Sequence, residues 1–85
     1  MAAHSVIFYG LSTCIHCRHA REFLEEHQIG FELHYVDQAS GEERANLLTT
    51  VKAVNPNVSF PTIVVDGASV IVGFQPQVMA RALEL

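Results

Sequence analysis

The stretch FYGLSTCIHCRHAREFLEEH, residues 8–27, decides the fold because it places two cysteines where an apolar run turns into a helical pattern. Residues 4–9 are rich in β-branched and aromatic side chains and lead to Gly10, which predicts a buried strand followed by a loop. From residue 15 to residue 27 the apolar side chains recur at helical spacing. The sequence therefore predicts a strand followed by a helix that begins at the cysteines.

Two further elements follow the first helix. In residues 31–35 apolar and polar side chains alternate with a period of two, which predicts a second strand. Ser40 and Glu43 have the spacing of a capping box and predict the start of a second helix, which ends at residues 55–57. The apolar stripe expected to bury this helix consists of Leu47, Leu48, Val51 and Val54.

The C-terminal part of the chain predicts a hairpin and a last helix. Residues 62–65 and 70–72 are β-branched runs on either side of the turn signal Asp66-Gly67, and Pro76 suits the first turn of a helix. Strands joined across a helix are parallel, and strands joined by a tight turn are antiparallel. The predicted architecture is one α/β domain over residues 1–85, a four-stranded mixed sheet flanked by three helices in the order β-α-β-α-β-β-α.

Composition limits what this 85-residue chain can do. A chain of this length forms one compact core, and a hydrophobic content of 49% excludes disorder. The net charge of −4, with only five basic residues, argues against nucleic-acid binding. No run approaches the roughly 18 apolar residues of a membrane span, and the N-terminus lacks a signal-peptide pattern. We therefore expect a cytoplasmic protein without a nucleic-acid or membrane partner.

Cys14 and Cys17 are the first candidates for chemistry, because a close cysteine pair in a reducing compartment is more often catalytic or metal-binding than a structural disulfide. At a helix start, free backbone N–H groups and the helix dipole stabilise a thiolate on Cys14, whereas Cys17 lies one turn further in. We predict that Cys14 attacks a disulfide and that Cys17 resolves the mixed disulfide. His16 is predicted to make the pair more oxidising by placing positive charge beside Cys14. Alternatively, His16 is an exposed side chain without an electrostatic role.

Four motifs together resemble the glutaredoxin family. VIFYG (6–10) precedes CIHC (14–17) at the helix start, SFPTIVVDG (59–67) follows after the second helix, and VIVGF (70–74) stands before the last helix. The resemblance covers nearly the whole chain. It implies a thioredoxin-like fold and a dithiol-disulfide oxidoreductase that reduces protein or glutathione-mixed disulfides.

The same resemblance assigns a substrate site. In the family, the proline that matches Pro61 is cis and faces the cysteines, and the backbone of Phe60 would pair with an extended substrate segment. Gly73 and Phe74 would close the groove. The substrate-binding residues that the resemblance implies are Thr13, Phe60, Pro61, Gly73 and Phe74.

Several positions that contact glutathione in the family differ in this chain. Leu11 stands where relatives usually carry a basic residue, and Ser59-Phe60 replaces a Thr-Val pair. Gly73-Phe74 replaces a Gly-Gly pair, and the Asp that usually follows is absent. This ending resembles small thioredoxin-like glutaredoxins that a flavoprotein reductase reduces. We expect a monomer without a tightly bound cofactor, with disulfide-containing proteins as partners and either a flavoprotein disulfide reductase or glutathione as electron donor.

A second hypothesis gives the same cysteines a metal, or the iron–sulfur cluster that some glutaredoxins carry. The side chains that could supply ligands are Cys14, His16, Cys17 and His19. On a helix, however, residues 14 and 17 share one face and residues 16 and 19 another, and the chain has no further cysteine. Metal or cluster binding therefore remains the alternative, and no metal ligands are predicted.

The remaining charged side chains near the cysteines have an ordinary interpretation. Arg18 and Arg21 either pair with the glutamates four residues further on or attract an acidic partner. A cation at a helix end is favourable, which suits the histidine near the end of the first helix. The histidines predicted to be solvated are His4, His27 and His34.

Overall fold

The computed structural model describes residues 4–85, and its elements follow the predicted order β-α-β-α-β-β-α. Residues 1–3 of the domain predicted over residues 1–85 lie outside the described part. None of the helices in residues 4–85 has the length and apolar character that a membrane crossing requires. The elements are β1 (Val6–Gly10), α1 (Ile15–Glu26), β2 (Glu32–Tyr35), a 3-10 turn (Val36–Gln38), α2 (Gly41–Val54), β3 (Thr62–Val65), β4 (Ser69–Val72) and α3 (Pro76–Ala82).

The four strands form a mixed sheet in the order β2-β1-β3-β4. Strand β1 runs parallel to β2 and antiparallel to β3, and β3 pairs antiparallel with β4, which confirms the predicted topology. Phe8 lies at the centre of β1, between Leu33 of β2 and Ile63 of β3. β1 is an inner strand of the sheet. Its last residue, Gly10, therefore leads the chain to the cysteines beyond the C-terminal end of an inner strand.

One face of the sheet is closely covered by α1 and α3. Side chains alternate between the two faces of a strand, so Phe8 and Ile63 point to the same side as each other. They pack there against Leu24 of α1 and Met79 of α3, and each of these four side chains is at most 1% exposed. This layer holds α1, and with it the cysteines, against the sheet.

The other face is covered less completely by α2. Asn55, the residue that ends α2, hydrogen-bonds Thr62 of β3, whose side chain points away from the first face. Val51 is fully buried, but Leu48 and Val54 are 36% and 39% exposed. The prediction that these two side chains belong to a buried stripe is therefore wrong.

The start of α2 also differs from the sequence prediction. Ser40 occupies the N-cap position, but its side chain makes no capping hydrogen bond, so the predicted capping box with Glu43 does not form. Arg44 instead donates to the backbone oxygens of Asp37 and Ala39, at 3.0 Å each. Arg44, a residue of α2, thus stabilises the turn before this helix through its guanidinium group.

Candidate active site

Cys14 is the N-cap residue of α1, and its half-buried sulfur lies where the backbone N–H groups of the first turn point. The backbone N–H of Cys17 donates to Cys14 Sγ over 3.3 Å. Donors at a helix N-terminus and the positive end of the helix dipole favour negative charge on such an atom. The position at the helix start agrees with the sequence analysis.

Cys17 lies one turn further along α1 in a very different environment. Its side chain is only 1% exposed, and the N–H of Leu11 lies 3.5 Å from its sulfur. Burial raises the pKa of the Cys17 thiol to about 12, because a thiolate would lose its hydration there. Both cysteines are free thiols, and the two sulfurs differ in access, since Cys14 is half-buried and Cys17 is buried.

Gly10 provides the space for Cys17. A Cβ atom at this position would lie 2.7 Å from Phe8 Cε1 and 3.3 Å from Cys17 Sγ. The first distance is shorter than real Cβ contacts, and the Phe8 ring is completely buried and has little room to move. Close packing therefore requires glycine at this position. The sequence pattern predicts only that a strand ends here.

The Phe60–Pro61 peptide bond is cis, and this loop lies directly beside Cys14. Cys14 Sγ is 4.0 Å from the Phe60 carbonyl oxygen. Neither backbone group of Phe60 makes a backbone hydrogen bond with the rest of residues 4–85. The Gly73 N–H donates to the Pro61 oxygen over 2.8 Å, and Gly73 adopts a φ of +82°, which favours glycine. The geometry brings together Cys14, Phe60, Pro61 and Gly73, as the resemblance implies.

A buried polar network supports the Phe60–Pro61 loop from below. The Asn55 side-chain nitrogen lies 3.1 Å from each of the Ser59 carbonyl oxygen, the Ser59 hydroxyl and the Thr62 hydroxyl, so its two N–H groups choose among three acceptors. The Thr62 hydroxyl donates to the Ser59 oxygen over 2.7 Å. Asn55 is 3% exposed and Thr62 is fully buried. The sequence pattern predicts only a helix end at Asn55 and does not indicate this positioning role.

A second positioning contact fixes the loop before Cys14. The Ser12 backbone N–H donates to Asp37 over 2.9 Å, and the Ser12 hydroxyl donates to the other carboxylate oxygen. The hydroxyl bond is the main reason that the pKa of Asp37 lies below its ordinary value. This pair was not predicted from the sequence either. A signal was available, because the carboxyl ends of parallel β1 and β2 meet at one edge of the sheet.

Thr13, Ile15 and His16 surround Cys14 on the solvent side, and all three are exposed. The side chains of Thr13 and His16 make no hydrogen bond or ion pair with the part of the chain that the structure describes. Ile15 is an exposed apolar residue, with 51% of its surface accessible. The redox role predicted for His16 and the substrate contact predicted for Thr13 therefore stay predictions.

Phe74 packs on α1, and its predicted contact with the substrate stays a prediction. It follows Gly73, but its ring packs against His19, with 5.8 Å between ring centres, and edge-on against Phe23 at 6.3 Å. Both partners belong to α1. Phe74 is half-buried and extends the site along the side of this helix, so it lines a neighbouring surface while Gly73 contacts the Pro61 loop.

The ligand set of the metal hypothesis does not come together. Within residues 4–85, no three His, Cys, Asp or Glu side chains converge on a point that could hold an ion. Cys17 is buried, His16 is exposed, and the His19 ring packs on Phe74. The structure thus places the side chains of residues 14 and 17 and those of residues 16 and 19 on different faces of α1, as helix geometry predicts.

The two arginines of α1 form the i,i+4 ion pairs that the sequence offered as one interpretation, although Arg21 is partly buried. Arg18 Nε lies 3.4 Å from Glu22, and Arg21 Nε lies 3.8 Å from Glu25. Arg21 also donates to the Tyr35 hydroxyl over 2.8 Å. Neither guanidinium group contacts the cysteines, so these side chains are bound locally.

The prediction that the other histidines are solvated is wrong for one of them. The side chain of His4 is only 13% exposed, because its two ring nitrogens lie 2.7 Å from Asp66 and 3.1 Å from Glu84. His27 is exposed and contacts the Phe23 carbonyl oxygen. His34 is partly exposed and stacks on Tyr9. His4 therefore joins the start of β1 to the hairpin and the C-terminal end, far from the cysteines.

Comparisons with known proteins agree with this geometry. The family model for glutaredoxin matches residues 6–70, which include both cysteines and the Phe60–Pro61 loop. A search of the curated proteins finds no match.

Several solved structures are similar to the chain over nearly its full length. Methanoredoxin of Methanosarcina acetivorans has a TM-score of 0.92 at 36% identity, over 95% of this chain and 85% of that one. A glutaredoxin from Methanosarcina mazei Go1 has a TM-score of 0.89 at 36% identity, over 95% and 79% of the two chains. A glutaredoxin from Archaeoglobus fulgidus has a TM-score of 0.89 at 30% identity, over 95% and 87%.

The fold, the cysteine pair beside a cis proline, and these matches support one conclusion. The predicted glutaredoxin-type fold is confirmed, and thiol-disulfide oxidoreductase is the class of activity that fits the pair of free thiols. This chain belongs to the glutaredoxin family.

Proposed function

We propose that this protein is a dithiol-disulfide oxidoreductase in which Cys14 attacks the substrate and Cys17 resolves the intermediate. The observation that carries the proposal is the contrast between the two sulfurs. Cys14 is accessible at a helix N-terminus and receives an N–H hydrogen bond, whereas Cys17 is buried and its pKa is raised to about 12. Because the thiolate is the nucleophile, the sulfur that carries charge more easily attacks first.

The reaction consists of two exchanges. The Cys14 thiolate bonds to one sulfur of a substrate disulfide and breaks the S–S bond, and the second substrate sulfur leaves as a thiolate that takes up a proton. Cys17 then loses its proton and attacks Cys14 Sγ, which releases the first substrate sulfur as a thiolate. Two electrons pass to the substrate, and the protein is left with a Cys14–Cys17 disulfide.

Formation of the mixed disulfide prepares Cys17 for the second step. Burial is the main cause of its raised pKa, but the hydrogen bond and the charge of Cys14 add to it. Once Cys14 is bonded to substrate, its sulfur is neutral and no longer opposes a second negative charge nearby. The Leu11 N–H, 3.5 Å from Cys17 Sγ, then supplies a donor for the forming thiolate.

The Phe60–Pro61 loop positions the substrate in this proposal. The N–H and C=O of Phe60 are free of backbone partners within residues 4–85, so they can pair with an extended segment as an added strand. Its carbonyl oxygen lies 4.0 Å from Cys14 Sγ, which brings such a segment to the attacking atom. Pro61 and Gly73 hold the loop, while Thr13 and Phe74 contact the substrate at its margins.

For the electron donor we propose a flavoprotein disulfide reductase, with glutathione as the alternative. The support is the apolar Leu11 and the Gly73-Phe74 sequence at positions where glutathione-using relatives carry charged or glycine residues. The cycle needs no tightly bound cofactor, because the two thiols carry both electrons. We further propose a monomer that acts on disulfide-containing proteins in a reducing compartment such as the cytoplasm.

Two parallel assays test the proposal. The protein is given a small disulfide together with glutathione and glutathione reductase in one cuvette, and together with thioredoxin reductase in the other. Turnover with thioredoxin reductase that exceeds turnover with glutathione supports the proposed donor. Strong activity with glutathione alone would reverse the choice of donor, and no turnover in either cuvette, combined with tight stoichiometric metal binding, would favour the metal hypothesis.

A further inference from the structure

A groove of about 340 Å³ lies along α1, beyond the cysteines. Four of its five lining residues, His19, Glu22, Phe23 and Glu26, have the spacing i, i+3, i+4 and i+7 of one helix face. Phe74, in the loop between β4 and α3, forms the opposite wall. We call this surface the α1 groove.

The aromatic side chains that line the α1 groove are firmly held. The ring centres of Phe74 and Phe23 are 6.3 Å apart in an edge-on arrangement, and His19 lies 5.8 Å from Phe74. Both phenylalanines also pack against the buried core between the sheet and α1. Aromatic rings attract cations, so two phenylalanine rings beside carboxylates suit an aliphatic chain that ends in a cation.

The rim of the α1 groove is acidic. Glu22 is paired with Arg18 over 3.4 Å, and that arginine is 65% exposed. Glu26 makes no ion pair with any residue from 4 to 85. The two carboxylates carry more charge than the one exposed guanidinium group, so net negative charge remains beside the two phenylalanine rings. The chain as a whole has a net charge of −4.

The α1 groove is linked to the site of disulfide exchange through the Gly73–Phe74 segment, although His19 and Cys14 lie on different faces of α1. His19 is five residues after Cys14, which corresponds to about 7.5 Å along the helix axis. An extended chain advances about 3.3 Å per residue, so a segment bonded to Cys14 reaches the groove within two to four residues. On the other wall, Phe74 follows Gly73, which is hydrogen-bonded to Pro61.

We propose that the α1 groove binds a lysine or arginine side chain of the substrate protein, located two to four residues from the disulfide cysteine. The aliphatic stem lies on the rings of Phe23 and Phe74, and the cationic end reaches Glu22 and Glu26. This inference rests on the proposed function, because it assumes that a substrate segment is bonded to Cys14. It adds a rule for substrate choice, namely basic residues near the cysteine.

The test measures single-turnover reduction of symmetric peptide disulfides by the fully reduced protein. Three alanine-rich peptides with a central cysteine carry lysine, norleucine or glutamate three residues away on each side. Each dimer takes two electrons from the protein and yields two peptide thiols, so no external reductant is needed, and thiol release is followed by chromatography at pH 8. Norleucine has nearly the shape of lysine without its charge.

A matched pair of variants separates the groove from the overall charge of the protein. Glu22→Gln combined with Glu26→Gln removes the rim charges, and Glu42→Gln combined with Glu43→Gln removes two exposed charges in the first turn of α2. We expect wild type to reduce the lysine dimer about fivefold faster than the glutamate dimer, with norleucine between them. The groove variant should lose most of this ratio, and the α2 variant should keep it.

The outcomes distinguish this inference from the proposed function. Equal rates for the three peptides, a preference for norleucine over lysine, or equal loss of the ratio in both double variants would overturn the inference and leave disulfide exchange intact. Failure of wild type to reduce any of the peptides would contradict the proposed function itself.

Discussion

The buried residues of the site and the exposed residues around Cys14 form two contrasting regions. The floor of the site comprises Gly10, Cys17, Asn55, Pro61 and Thr62, all of them buried. The rim comprises Thr13, Ile15 and His16, all of them exposed. Close packing fixes the geometry of the floor, whereas the rim is open to solvent and partners. Substitutions in the floor should therefore cost stability and geometry, and substitutions in the rim should change electrostatics or substrate contacts with little cost in stability.

The largest effect on stability is expected for Asn55→Ala. The substitution removes the donor shared by Ser59 and Thr62 in a buried network, and we expect a loss of about 2–3 kcal/mol in the free energy of unfolding, measured by urea denaturation. Because this network holds the Phe60–Pro61 loop, the rate of disulfide exchange should fall as well.

Asn57→Ala is the matched control for the Asn55 substitution. Asn57 is exposed two residues further on, and its loss should change the free energy of unfolding by less than about 0.5 kcal/mol. Equal effects at Asn55 and Asn57 would mean that the floor is not held by this network.

Gly10→Ala should have the next largest effect. The new Cβ atom would lie 2.7 Å from the buried Phe8 ring and 3.3 Å from Cys17 Sγ, and we expect a cost of about 1–2 kcal/mol. The same substitution at Gly30, where no atom lies within 4 Å of the added Cβ, should be nearly neutral. Thermal unfolding of both variants tests this difference, and a stable Gly10→Ala protein would show that the space beside Cys17 is not tight.

In the rim, His16→Val should lower the reduction potential of the cysteine pair without a change in stability. An exposed charge contributes about 0.2–1 kcal/mol, which corresponds to about 4–20 mV for a two-electron couple. His27→Val, at the far end of α1, serves as the control and should leave the potential unchanged. If the potential does not fall in the His16 variant, the exposed imidazole has no role in tuning.

The smallest effect is expected at the opposite end of β1, where His4 contacts Asp66 and Glu84. The hydrogen bond to Asp66 is the main cause of the raised His4 pKa, and the same bond lowers the pKa of Asp66. A raised histidine pKa contributes stability below about pH 6.5 that is lost as pH rises through the folded value. A lowered aspartate pKa contributes stability above about pH 3.9 that is lost as pH falls.

These signs place the greatest contribution of the His4 contact between about pH 4 and pH 6.5. The melting temperature of His4→Gln should therefore fall below that of wild type most clearly near pH 5.5, and the gap should narrow by pH 9. Disulfide exchange should not change, since the contact lies far from the cysteines. A gap that is constant from pH 5 to pH 9 would contradict an ionic contribution.

Part of the fold and of the site can be predicted from short segments of the sequence. Local patterns are sufficient for the strand before Gly10 and the helix after Cys14, because apolar periodicity and helix-start geometry are properties of short segments. The family resemblance adds the position of Pro61 beside the cysteines. Together these give the fold and the main residues of the site.

Contacts between distant segments could not be predicted in the same way. The network of Asn55 with Thr62 depends on how β3 and α2 meet, and no local pattern encodes those distances. For Ser12 and Asp37 the predicted topology indicates proximity, but it does not give the hydrogen bond. The exposure of Leu48 and Val54 has the same origin, because a helical stripe shows which residues share a face but not how much of the sheet the helix covers.

The most direct test of the central claim compares Cys17→Ser with Cys14→Ser. Each reduced variant is mixed with bis(2-hydroxyethyl) disulfide at pH 7, and the mixed disulfide is quantified by mass spectrometry. We expect Cys17→Ser to form a stable adduct on Cys14 at least about a hundredfold faster than Cys14→Ser forms one on the buried Cys17. Adduct formation on Cys17 at an equal or higher rate would contradict the assignment of Cys14 as the attacking thiol.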